Sequence, residues 1–453
     1  MQHTPCSADH QRTKLIAFRQ AIYQSGFIKR RDAQFELLDA LLLTGPVRSF
    51  PELSTTPVFR RRWSSVYAAL EDGQHNSAWL RSYLAQQVPT DGIQIFSLDG
   101  TAWLRPNART LPDRQYVYSP AAQASQHPVG VGHPYSILAW VAEPQSSWAL
   151  PLDVSRIAST ETALSCGIVQ VQQLCRDRKA AAASCLHIVV ADAKYGTHLF
   201  LRPLRDVGCG VLVRLRKDRV LYRAPGPYSG SGRPRVHGER FAFKEPDSWG
   251  PPDQHFRGSD PQWGQVVVQV WHRLHARSAA DTPISVARLQ VHGEQERPPA
   301  PLWLGWQGPR VPAATLWQAY QLRWPVEPSI RTRKQQLAWT TPAFRQPDAC
   351  DRWTMLVTLA QWQLYLARSL VADGRLPWQV AQERLSPGRV QRGLGFLFGQ
   401  IGSPACAPKP RGSPPGWPPG RVRTRPARHP VVKKTTKPTK RKRKPPGRRR
   451  KAA

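Results

Sequence analysis

Three short, largely apolar runs constrain the fold more than anything else in this sequence. They are Ile93-Gln-Ile-Phe-Ser-Leu98, His187-Ile-Val-Val-Ala191 and Gly210-Val-Leu-Val-Arg-Leu215. The first reads as a strand, the second as a strand of the buried type, and the third as a strand that follows a short helix. Between the first two, Tyr135-Ser-Ile-Leu-Ala-Trp-Val141 and Ser147-Trp-Ala-Leu150 read as a hairpin joined by Glu143-Pro-Gln. A helix is predicted over 160–179, with Leu164, Ile168, Val171 and Leu174 on one stripe, and a short one over 197–207. Strand, hairpin, helix, strand, helix, strand is the order of an α/β fold: a mixed sheet with flanking helices.

Two of these strands end on a carboxylate. Asp99 follows Leu98 and opens Asp99-Gly-Thr, and Asp192 follows Ala191 and opens Asp192-Ala-Lys-Tyr-Gly196. Side chains at adjacent strand ends of an open sheet converge on one rim, where ligands bind. Two carboxylates held together there repel, and a divalent cation keeps both ionised. Oxygen-only ligation suits Mg²⁺ or Mn²⁺. Either aspartate alone is weak evidence, since Asp-Gly is above all a turn signal.

The most specific string lies further on. Tyr320-Gln-Leu-Arg323-Trp-Pro-Val-Glu327, followed by Lys334, has the spacing Y-x-x-R-x-x-x-E-x6-K. On an ideal helix these four positions fall within about 60° of one another, so a phenol, two cations and a carboxylate share a face. A solvated ion-pair stripe is the plain alternative. Tyr320 and the neighbours Leu322, Trp324 and Val326 argue against a freely exposed surface.

This string resembles the signature of the insertion-sequence-four-like branch of bacterial DDE transposases, Asp192-Ala-Lys-Tyr-Gly resembles that group's second aspartate motif, and Asp99-Gly-Thr its first. The likeness spans roughly residues 90 to 370. It implies a ribonuclease-H-like catalytic core interrupted by a β-rich insertion, with Asp99, Asp192 and Glu327 as catalytic, metal-binding carboxylates. It further implies two Mg²⁺ ions, for which Mn²⁺ may substitute, about 3.5–4 Å apart. Tyr320, Arg323 and Lys334 are then expected on DNA phosphates, and the implied activity is cleavage at transposon ends followed by strand transfer, of the cut-and-paste type. Double-stranded DNA, as transposon ends and target, is the implied partner, with a homodimer in the synaptic complex. Pro328 departs from the pattern: inside a helix, Pro325 and Pro328 would each cost about 3 kcal/mol. If a helix restarts near Trp324, both fall near its first turn, where N–H groups lack partners anyway.

Around this core the sequence divides further. Residues 1–88 read as a helical, DNA-end-binding domain whose basic clusters Lys29-Arg30-Arg31 and Arg60-Arg61-Arg62 start two helices. Residues 89–216 form the first part of the core, 217–300 the β-rich insertion, and 301–402 the rest of the core with helices over 313–337, 350–372 and 377–398. Residues 403–453 hold twelve prolines, 18 Lys or Arg and no acid, and read as a disordered basic tail. The net charge is +35, of which the tail accounts for +18, leaving 35 − 18 = +17 on the rest. Charge of that size points to nucleic acid rather than to a membrane surface.

Seven cysteines without a C-x-x-C pair indicate neither a zinc site nor a disulfide framework. With no signal peptide and no apolar run of about 18 residues, a cytoplasmic, nucleoid-associated protein is expected. His272 and His275 read as ordinary polar residues. Three rivals keep part of this reading: a catalytically inactive, transposase-derived DNA-binding protein, a chromatin-like protein driven by its tail, and a ribonuclease-H-type nuclease without strand transfer.

Overall fold

The three apolar runs lie side by side in one sheet of a computed structural model, which describes residues 8–119, 128–144, 146–228, 230–292, 300–410, 419–420, 422 and 425–434. Four helices come first: α1 (Ala8–Ala21), α2 (Arg31–Thr44), α3 (Ser64–Glu71) and α4 (Ser77–Gln86), with a small ribbon of β1 (Phe27–Lys29) and β2 (Gln74–His75) among them.

The core sheet is built from β3 (Gly92–Leu104), β4 (Gln115–Tyr118), β5 (Val129–Val141), β6 (Ala149–Arg156), β7 (Cys185–Ala191) and β8 (Gly210–Leu215). β6, β5 and β3 run antiparallel, while β3, β7 and β8 run parallel, which is the ribonuclease-H-like arrangement. Between β6 and β7 lies α5 (Ala163–Asp177), started by a capping box of Thr162 with Ser165. The short α6 (His198–Leu201) links β7 to β8.

The segment after β8 extends this same sheet rather than forming a separate one. β9 (Val220–Tyr222), β10 (Arg240–Ala242), β11 (Gln254–Asp260), β12 (Gly264–Ala276) and β13 (Ala279–His292) lead to β14 (Leu302–Gln307), which pairs with both β13 and β8. The antiparallel wing therefore hydrogen-bonds to the parallel core through β14, giving 12 strands in one sheet.

Alternation along the strands separates two cores. Ile188 and Val190 of β7, Leu212 of β8 and Leu304 of β14 face one side. There α7 (Ala313–Gln321) packs through Ala313, Leu316 and Trp317. Val189, Ala191, Val211 and Val213 face the other side. That side is covered by α5 and by the long α9 (Pro347–Ala367), which carries Trp353 and Trp362 fully buried. α9 also packs on α1, α2, α3 and α10 (Pro387–Ile401), so the N-terminal helices share its apolar cluster.

Four sequence expectations need correction, the first being the helix expected over 377–398, which begins only at Pro387. The helix expected over 313–337 is two: α7 ends at Gln321, residues 322–325 turn, and α8 (Val326–Gln335) begins after Pro325. The strand expected to stop at Leu98 runs to Leu104, because its antiparallel pairing with β5 continues from Phe96–Trp140 to Leu104–Gly132. Asp99 therefore lies within a strand. The tail expected to be disordered is in part docked: residues 403–406 bond to the N-terminal helices and 429–434 to the β4 edge, where unpaired backbone groups find partners. Residues 411–418, 421, 423–424 and 435–453 of that expectation lie outside the described residues.

Candidate active site

The parallel ladder between β3 and β7 ends at the pair Leu98–Ala191. Asp99 and Asp192 are the residues that follow that pair, so they stand beside one another where the ladder opens. Asp99 has its Oδ1 on the N–H of Gly100 at 2.7 Å. Asp192 leaves the sheet in a tight turn, and its Oδ1 accepts from the N–H of Lys194 at 2.9 Å. That turn requires Gly196: a Cβ there would sit 2.2 Å from the carbonyl oxygen of Arg214 on β8. Tyr195, fully buried, packs edge-on to Phe200 at 5.0 Å and pins the turn from beneath.

The third part arrives from the break between α7 and α8. Glu327 is the second residue of α8, so its carboxylate lies at the positive end of a helix. Pro325 occupies the N-cap and Pro328 the third helical position, both places where a missing N–H breaks no bond within the helix. The turn is closed by N–H donors of Arg323, Trp324 and Glu327 to the carbonyls of Tyr320, Gln321 and Trp324, and Ser97 Oγ on β3 donates to the carbonyl of Arg323. A broken helix, rather than a straight one, thus brings the four motif residues to the sheet.

Arg323 joins the carboxylates. Its Nη2 donates to Glu327 Oε1 at 2.8 Å, and its Nη1 stands 3.8 Å from Asp99 Oδ2. Burial raises the Asp99 pKa above its usual value, and the charges of Asp192 and Glu327 add to this, against the Gly100 N–H and Arg323. Burial works against the charge of Arg323, but Glu327, Tyr320 and Asp99 outweigh it and raise its pKa. Tyr320, on the last turn of α7, lies near Arg323, Arg214 and Asp192, and burial raises its pKa.

Lys334 lies two turns along α8 from Glu327. Its Nζ donates to Thr101 Oγ1 at 2.7 Å and to the carbonyl of Ala102 at 3.0 Å, tying α8 to β3. Burial lowers its pKa. Asp99, Asp192, Glu327, Tyr320 and Arg323 are thus gathered on one rim, with Lys334 bound to β3 two turns further along α8.

Arg214 belongs to this rim and was not singled out in the sequence. The signal was there, a lone charge at the only exposed position of the strand Gly-Val-Leu-Val-Arg-Leu. Beside Arg323 opens a cleft of about 920 Å³ between the wing and the α7–α8 turn, lined by Trp263, Trp317, Tyr320 and Trp324 among others. The β11–β12 turn that carries Trp263 is held to α7 by Asp260, which accepts from Trp317 Nε1 and Gln321 Nε2.

The donor set is oxygen-only and matches a hard divalent cation in chemistry. Among the described residues no group of three or more His, Cys, Asp or Glu stands close enough to hold a metal ion. The Arg323 guanidinium lies between Asp99 and Glu327 and supplies their counter-charge.

His272 and His275 are polar members of the wing. His272 Nδ1 pairs with Ser285 Oγ and His275 Nε2 with His237 Nδ1. Of the basic clusters, Arg60 and Arg61 bond to the buried Glu36 and to the carbonyls of Ala405 and Cys406, so they bind the protein's own C-terminal segment. Among the described residues no helix is long and apolar enough to cross a membrane. A family model described as DDE superfamily endonuclease matches residues 23–277, which include Asp99 and Asp192. No curated protein matches the chain.

Proposed function

Since the chain belongs to the DDE superfamily of endonucleases, we propose that it is a DNA transposase of the cut-and-paste type, with Asp99, Asp192 and Glu327 as its catalytic and metal-binding carboxylates. The observation that carries this reading is the shared rim, on which Arg323 spans Asp99 and Glu327 at the open end of the ladder beside Asp192. The Y-x-x-R-x-x-x-E-x6-K string supports the insertion-sequence-four-like branch within that superfamily.

Mg²⁺ ions held by the three carboxylates would supply Lewis acidity at the scissile phosphate and an activated water. The remaining roles fall to the chain itself. Arg323 neutralises Asp99 and Glu327, and its guanidinium would be free for a phosphate oxygen if a divalent cation supplied that counter-charge. Tyr320 and Arg214 line the same rim and contact the strand on either side of the cut. Lys334 holds α8 on β3, which keeps Glu327 opposite Asp99, and offers its remaining hydrogen-bonding capacity to phosphate. The 3′ hydroxyl released by cleavage attacks target DNA in the same site. Two copies of the chain acting on paired ends complete the proposed synaptic complex.

The test is a labelled duplex carrying the element's end, incubated with the full chain and Mg²⁺. The parent is expected to cut and then join, while Asp99→Ala and Glu327→Gln lose cutting by at least a thousandfold and still bind. Equal cutting by Asp99→Ala overturns the carboxylate assignment. Binding with no cutting by the parent supports the inactive derivative instead.

A further inference from the structure

β4 is the terminal strand of its end of the sheet, and a single alternation divides it. Gln115 and Val117 point inward, whereas Tyr116 and Tyr118 are 57% and 73% exposed. Two neighbouring tyrosines on one face of an edge strand invite a partner, because an unpaired edge with large exposed rings is otherwise a liability. The edge is not bare, however. Residues 425–434, Arg-Pro-Ala-Arg-His-Pro-Val-Val-Lys-Lys, lie along it as a strap. The N–H of His429 donates to the carbonyl of Arg109 at 2.8 Å, and the N–H of Val432 to that of Arg114 at 2.7 Å. Val432 pairs in parallel with Gln115, and the buried Arg114 returns a bond from Nη2 to the carbonyl of His429 at 3.0 Å.

Docking leaves the strap's charges facing outward. Arg425, Arg428, Lys433 and Lys434 are exposed, and the strap has no acid. Lys434 donates to the carbonyl of Glu161 and lies near enough to Lys194 to feel its charge. Glu161 precedes Thr162, the N-cap of α5, and Gly167 on the first turns of α5 packs against Leu98 and Tyr195, so the strap ends toward the Asp99–Asp192 end of the sheet. The two acids nearby are engaged: Asp113 binds Arg156 and the N–H of Ser159, and Glu161 accepts from the N–H of Ala158. Arg425, Arg428, Lys433 and Lys434 thus set four exposed cations along the β4 edge, the last of them beside the start of α5.

We propose that the β4 edge and its strap form a phosphate-binding track that leads duplex DNA to or from the rim at Asp192. Lys433, Lys434, Arg428 and Arg425 meet backbone phosphates, and the hydroxyls of Tyr116 and Tyr118 add neutral contacts of the kind that set a protein's register on a duplex. The track rests on the transposase reading for its direction, toward a site that cuts DNA, but not for its binding of the duplex.

The test is fluorescence anisotropy with a labelled 30-base-pair duplex, without divalent metal, at several salt concentrations, on the full chain. Lys433→Gln/Lys434→Gln is expected to lower the slope of log affinity against log salt by about 1.8, from about 0.9 per lost phosphate contact. Val432→Pro removes one strap N–H and no charge, and is expected to weaken binding at least threefold with an unchanged melting midpoint. Tyr116→Ala/Tyr118→Ala is expected to weaken binding with the salt slope kept. Parent-like affinity and slope in all three variants overturn the track, as does a single strand of the same sequence accounting for all the loss. Because none of these readings involves cutting, a failed Asp99→Ala experiment leaves the track standing, and a failed track leaves the carboxylate assignment standing.

Discussion

At the residue scale, the site depends on side chains that hold the strand ends in place. His187 on β7 is one. It is buried, and its Nε2 accepts from Arg178 Nε at 3.0 Å, so the ring is neutral in the fold. Arg178 in turn donates to the carbonyls of Ala85, Val88 and Pro89, joining the end of α4 to the start of the sheet. Burial, with the charge of Arg178, lowers the His187 pKa to about 4, whereas an unfolded histidine titrates near 6.5. A depressed pKa means that the unfolded chain takes up the proton first, so the stabilisation is complete above about pH 6.5 and is lost as pH falls toward 4. Urea denaturation at stepped pH is expected to show this loss, at most about 1.4 kcal/mol per pH unit from this one group. His187→Gln, which keeps an acceptor for Arg178 and cannot titrate, flattens that part of the profile. An unchanged profile in the variant assigns the acid sensitivity to other groups.

At the scale of elements, the break between α7 and α8 decides the geometry of the site. Pro328 at the third position of α8 costs nothing in helix hydrogen bonds, so Pro328→Ala is expected to shift stability by less than about 1 kcal/mol and to leave the proposed cutting unchanged. A loss of several kcal/mol on this change would mean that the proline sets the turn, readable by chemical denaturation. The spacing of the motif was legible in the sequence, and the restart near Trp324 followed from the two prolines. The continuous helical face was not correct as drawn, since Tyr320 and Glu327 come together across a turn. The apolar strands β3, β7 and β8 were legible because each carries a nearly unbroken apolar run. β4, β9 and β11 were not. They are short or polar, and β11 alternates Gln, Phe, Gly and Asp with His, Arg and Ser, so only pairing with β12 makes it a strand. Arg214 was missed for a related reason: a single charge gains meaning only when Tyr320 and the Asp192–Gly196 turn are seen beside it.

At the scale of the whole molecule, the N-terminal helices and the sheet share one core, and a buried ion pair between α1 and α2 lies where these helices meet α9 and α10. Arg19 on α1, nearly fully buried, makes a two-pronged contact with Asp39 on α2 at 2.8 and 3.0 Å. It also donates to Gln363 on α9 and to the carbonyl of Gly402 just after α10, and it is stacked between Phe35 and Phe398. Ser403 Oγ donates to the same Asp39. α1, α2, α9 and the end of α10 therefore meet at one guanidinium. Removing it strands Asp39 without its counter-charge in a buried place, which costs about 3–5 kcal/mol. Arg19→Met, of similar length and apolar, leaves the same orphaned carboxylate, so it should lose nearly as much. Arg19→Met/Asp39→Leu, which removes both charges, should recover most of the loss. The measurement is urea denaturation followed by tryptophan fluorescence and far-ultraviolet circular dichroism together. Coincident transitions, shifted equally by Arg19→Met, are the outcome expected of one shared core. A separate early transition for the helices, with the sheet unmoved, would show instead that residues 8–88 are held to the rest by contacts the sheet does not need.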